Sequence, residues 1–185
     1  MRANALAALA NLSARMSRPL SGLVLLVAAC ASASLVFACA TPFAAFAVVA
    51  AAIMPLPSAL LAMTAVWLAN QAIGFWLLGY PWTLDSAAWG LALGAAAVLA
   101  TLVAAALFQR LAGLGRLAVY PLALTASFAA YELFLLAMTP LLGGAAAFAP
   151  DIVGRIAFLN AVWLAGLAGI YEVGRLVDGS VRRHA

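Results

Sequence analysis

Apolar residues run along this chain in stretches that neither a water-facing helix nor a half-buried strand would carry. From Leu20 to Val177, predominantly apolar runs of 18 or more residues recur. Each is long enough to cross a hydrocarbon layer of about 30 Å as a helix rising about 1.5 Å per residue. The runs are rich in Ala and Leu and lack the two-residue alternation of barrel strands, and a lipid-exposed strand edge would leave backbone groups unsatisfied. The pattern predicts an all-α integral membrane protein, a bundle of about six transmembrane helices. Turn residues place these near 19–40, 43–55, 57–78, 86–108, 117–140 and 152–177. The dividers are Thr41-Pro42, Pro55-Leu56-Pro57, Gly79-Tyr80-Pro81-Trp82, the stretch from Leu111 to Gly115 and that from Gly143 to Pro150. The second helix is short: about 13 residues reach only about 20 Å. It must tilt little, thin the bilayer or be shielded by its neighbours. A single kinked helix over 43–64 is the competing division.

Composition removes whole classes of function. Of 185 residues, 69% are apolar and 8% charged, and the mean hydropathy is +1.17, which leaves no stretch for a water-facing catalytic domain. The net charge of +4 is made by nine arginines and no lysine. These lie scattered at helix ends, where they mark the cytoplasmic side of a membrane and form no groove for nucleic acid. Six helices put both termini and the Arg110–Arg116 loop on one side, so eight of the nine arginines face the cytoplasm. Asp85, Asp151 and Arg155 fall on the other side, whereas a five-helix division splits the basic segments across both faces. The organisation expected is a cytoplasmic amphipathic segment over 1–18, a transmembrane domain over 19–177 and a cytoplasmic tail over 178–185, in a bacterial inner membrane. Val27-Ala28-Ala29-Cys30 and Ala38-Cys39-Ala40 resemble signal-processing sites, but Ala-rich membrane helices produce such strings by chance, and the segment is read as retained. Cys30 and Cys39, nine residues apart on one helix, are too distant to bridge each other.

Polar side chains inside a span are costly and therefore informative. Asn70, Gln71, Glu132 and Asn160 are the main ones. Asn70, Glu132 and Asn160 each sit eight residues from the outer end of their helix, about 12 Å deep, so they define a candidate polar layer in the outer half. Such residues also tie helices together by interhelical hydrogen bonds without meeting any ligand. No arginine is expected at the depth of Glu132, which points to a water-filled cavity or a protonated carboxyl. Aromatic residues gather at the same end: Phe75, Trp76, Tyr80, Trp82 and Trp89, with Tyr131, Phe134 and Trp163 deeper. Interface belts account for Trp82 and Trp89, while aromatic walls beside a few amides and a carboxyl suit a small organic ligand. The turn Gly79 to Asp85 could cover such a pocket from outside. Small residues recur at spacings of four, as in Ala29 with Ala33, Gly90 with Gly94 and Ala165 with Gly169, which permits close helix packing.

Enzyme chemistry finds no support. The single histidine, His184, adjoins the C-terminus, no metal-ligand set or nucleophile–base pair lies in the spans, and without lysine there is no phosphate-binding loop of the Walker type. No catalytic or metal-binding residue is expected.

The architecture over about 19–177 resembles the six-helix substrate-binding subunits (S-components) of energy-coupling-factor vitamin transporters. The stretch Trp67-Leu68-Ala69-Asn70-Gln71-Ala72-Ile73-Gly74-Phe75-Trp76-Leu77-Leu78-Gly79-Tyr80-Pro81-Trp82-Thr83 is similar to the cobalamin-related, BtuM-like members. Both cysteines of this chain lie on the first helix, so the resemblance carries no cysteine role onto it. It implies a vitamin-uptake subunit with cobalamin or a related corrinoid as transported ligand and with separate coupling and ATPase subunits as partners. Asn70, Gln71, Phe75, Tyr80, Trp82, Asp85, Tyr131, Glu132, Asn160 and Trp163 would then bind the ligand, and Ala29 and Ala33 would touch the coupling subunit. Two other readings stand beside it: a structural or assembly protein of the membrane, and a proton-coupled carrier that uses Glu132.

Overall fold

A computed structural model describes residues 21–35 and 41–184, with side chains described as far as Arg175. The expected segment 1–18 and Cys39 lie outside the described residues. Among the described residues there are six α-helices: α1 (Ser21–Leu35), α2 (Phe43–Ile53), α3 (Leu56–Ala72), α4 (Leu84–Arg110), α5 (Arg116–Leu142) and α6 (Pro150–His184). The second span of the sequence reading divides from the third at Pro55, as the six-helix division expected. Four helical segments are long and apolar enough to cross a membrane: Leu56–Leu77, Leu84–Arg110, Arg116–Leu142 and Pro150–Arg175. The backbone of α6 runs as helix through the residues assigned to a tail, as far as His184.

The short α2 is the centre of the bundle. Its residues from Phe43 to Ala50 are all buried, as expected of a helix that is apolar on every face. At 11 residues it is only about 16 Å long, and α3, α4, α5 and α6 all pack against it. The neighbouring helices therefore shield this short helix over most of its length. α1 covers the bundle with one face: Gly22, Leu26, Ala29, Cys30, Ala33 and Ser34 are buried, while Val24, Ala28 and Leu35 are exposed. A Cβ on Gly22 would stand 2.5 Å from the Met54 side chain, so glycine lets α1 approach the end of α2.

The pairs of small residues work differently from a generic helix–helix contact. On α4, the Trp67 indole fills the space beside Gly94, where a Cβ would lie 2.8 Å from the ring, and its Nε1 donates to the Gly90 carbonyl at 2.7 Å. Gln71 lies against Gly90 itself. The Gly90–Gly94 groove is thus filled by two side chains of α3. Thr83 caps α4 by accepting the Ser86 N–H at 3.2 Å. Between α5 and α6, Gly143 and Gly144 both take positive φ (76° and 77°), a reversal that favours glycine. Trp89 locks it by donating to the Leu142 carbonyl at 3.3 Å.

Candidate functional site

A helix that starts and stops inside a bundle has orphan backbone groups at both ends, and lipid offers them no partner. Three of the four candidate polar residues, Asn70, Gln71 and Asn160, gather around the first of these ends. Pro42 stands at the N-cap of α2 without a side-chain cap. Asn160, on α6 and only 2% exposed, supplies the missing acceptor: its Oδ1 takes the Ala45 N–H at 2.9 Å, and its Nδ2 donates to the Ile156 carbonyl at 2.9 Å. Asn70 donates to Ser34 Oγ and Thr41 Oγ1, both at 2.9 Å, and its own carbonyl accepts from Gln71 Nε2 at 3.2 Å. Ser34 lies 3.3 Å from Thr41 Oγ1, and Cys30 Sγ reaches the Val66 carbonyl at 3.3 Å. This network ties α1, α3 and the entry to α2 into one polar knot.

The deeper aromatic residues meet the same turn of α2. Tyr131 stacks on Phe43 with centroids 6.2 Å apart, and Trp163 meets Phe46 edge-on at 5.7 Å. Of the layer expected from matched depths, Asn70 and Asn160 meet at the first turn of α2 and its entry. The amides Asn70 and Asn160 satisfy the protein's own groups there. Glu132 stands apart. It is half-buried, and among the described residues no hydrogen bond or ion pair engages it. Ala29 and Ala33, assigned by the resemblance to a coupling-subunit contact, are buried in the chain's own core, where their small side chains let α1 close on the bundle.

The outer aromatic candidates form a second, separate feature. α3 does not stop at Ala72 but widens into a π-helical turn over Ile73–Leu77, a form that recurs at functional sites. The turn brings Phe75 to 4.6 Å from Trp82 and Trp76 to 5.9 Å from the same ring. Tyr80 packs on Gly74, where a Cβ would lie 2.6 Å from its ring. Trp76 and Trp82 are 73% and 71% exposed, and Asp85, three residues after Trp82, is exposed in the first turn of α4. The result is an aromatic shelf at the end of the bundle.

At the opposite end lies a cluster that the sequence reading did not single out. Arg116 donates from Nη2 to the Ala52 carbonyl, so a cation caps the C-terminus of α2, the end that favours positive charge. Its Nε lies 3.3 Å from Glu172 Oε1, and its guanidinium covers the Tyr171 ring at 5.3 Å. Tyr120 donates to Glu172 Oε1 at 3.1 Å, and Arg175 pairs with Oε2 at 2.6 Å. The available signal was Glu172 three residues before Arg175, a spacing that brings helix neighbours together. By its position in the Arg110–Arg116 loop alone, Arg116 marks only a side of the membrane. From this cluster a groove of about 400 Å³ runs between α5 and α6, lined by Leu117, Tyr120, Pro121 and Leu124 on one side and by Ala161, Ala165 and Gly169 on the other.

Helices of membrane length packed around a buried short one define the class: a multi-pass helical membrane protein. No family model matches the chain, and no curated protein or solved structure gives a significant match.

Proposed function

We propose that the chain is a substrate-binding subunit for vitamin uptake in the bacterial inner membrane, with a ligand that docks on the aromatic shelf at the end of α3. The observation that carries this reading is the π-helical turn Ile73–Leu77, which turns Phe75 and Trp76 toward Trp82 and leaves two indoles exposed. An interface belt needs aromatic residues but no widened helix to group them. A corrinoid is the first ligand to test, because its flat macrocycle suits the shelf and its amide side chains suit the exposed carboxylate of Asp85 in the first turn of α4. In this reading Asn70, Gln71, Asn160, Tyr131 and Trp163 are the frame that fixes α2 and α3, and coupling and ATPase subunits supply the energy.

The test is ligand content. Protein purified in mild detergent from cells grown with cobalamin should show a corrin absorption band and bind cobalamin or cobinamide calorimetrically. Trp82→Ala should weaken that binding about three- to tenfold, the usual worth of one aromatic contact. A colourless protein with no heat of binding removes corrinoids. It also favours the second reading, an assembly protein of the membrane, which draws support from the internal hydrogen bonds of Asn70 and Asn160.

A further inference from the structure

The groove between α5 and α6 is built unlike the rest of the bundle. On α6, Ala161, Ala165 and Gly169 recur every fourth residue and are exposed, so they give the groove a shallow floor. The α5 wall contains Pro121 inside the helix, where the ring has no N–H to offer the Leu117 carbonyl. The lining is apolar except at one end, where Tyr120 and Glu172 close it.

Length and charge together name an occupant. Ala161 to Glu172 covers about 16 Å at about 1.5 Å per residue, which is the thickness of one leaflet of a hydrocarbon layer about 30 Å deep. A transmembrane partner helix would need a groove twice as long. Among the residues with described side chains, the closed end carries two arginines against one carboxylate, with Arg116 and Arg175 side chains 34% and 50% exposed. Each guanidinium has five donors. The structure gives Arg175 one hydrogen bond, to Glu172, and engages Arg116 through Nη2 with the Ala52 carbonyl and through Nε with Glu172. Donors remain for the oxygens of a phosphate.

We infer that the groove holds one acyl chain of an anionic membrane phospholipid, whose phosphate lies against Arg175 and Arg116. Basic positions between transmembrane helices recognise such headgroups generally. The lipid would fill the gap between α5 and α6 and place its headgroup beside the arginine that caps α2.

The test uses the full chain in mild detergent, with phosphatidylglycerol and phosphatidylcholine of identical acyl chains competing for it and retained lipid read by native mass spectrometry. Preferential retention of phosphatidylglycerol is expected. Arg175→Gln should weaken phosphatidylglycerol about fivefold, the usual effect of one basic residue, and leave phosphatidylcholine unchanged. Ala165→Phe, or Gly169→Leu should that variant misfold, fills the groove from an exposed position and should reduce both. Equal retention of the two lipids, or indifference to both kinds of variant, overturns the inference. So does a dimer mass without lipid that disappears on filling the groove, which would assign the surface to a second copy of the chain.

Discussion

Replacing Asn160 with alanine separates a helix cap from a ligand contact. The variant removes the side chain that, among the described residues, meets the Ala45 N–H, at 2.9 Å in a site 2% exposed. The bond from Nδ2 to the Ile156 carbonyl matters less, because that carbonyl keeps its place in the helix ladder. An orphaned buried donor costs about 1–3 kcal/mol, and loss of an N-cap about 0.5–2 kcal/mol; both figures describe the same N–H and do not add. Interhelical hydrogen bonds within membranes average about 0.6 kcal/mol, but the unfolded α2 has no comparable partner in lipid, so about 2 kcal/mol is expected. For a chain of this size that is a fall of about 4–8 °C in Tm. Thermal unfolding in one fixed detergent measures it, and amide exchange gives the local readout, since Ala45 should lose protection before the middle of α4 does. Unchanged Tm and unchanged protection at Ala45, together with lost binding of a transported ligand, would refute the cap and return Asn160 to the ligand site.

The glycines divide into two groups with opposite expectations. Gly94→Ala places a methyl 2.8 Å from the Trp67 ring and should cost about 1–3 kcal/mol by overpacking, whereas Gly166→Ala, with nothing within 4 Å of its Cβ, should stabilise α6 by about 0.5–1 kcal/mol; the two Tm shifts must differ in sign. Glu132→Gln removes a half-buried carboxylate that no cation among the described residues pairs, so stability should hold or rise. A clear fall in Tm would reveal a partner for that charge, and pH-dependent uptake abolished by this variant would transfer the protein to the proton-coupled carriers.

Much of the architecture was written in the order of residues. Long apolar runs without alternation admit only helices in lipid, and the prolines at 55 and 57 separate α2 from α3. That Asn70 and Asn160 lie within apolar helices was legible too, because each helix end is marked by a turn. What they face was not legible. Depth gives one coordinate, whereas the choice between a ligand and another helix depends on rotation about the axis and on which element occupies the centre. The tertiary structure put α2 there. A helix too short to reach water at either end needs its caps from other helices, and this requirement recruits Asn160 at one end and Arg116 at the other. It gives the arginine, legible in sequence only as a marker of membrane side, a partner on α2 and makes Glu172 its counterion. The chain by itself determined how many helices form and roughly where they end; burial of α2 decided which polar groups must serve the backbone and left the aromatic shelf and the α5–α6 groove facing outward.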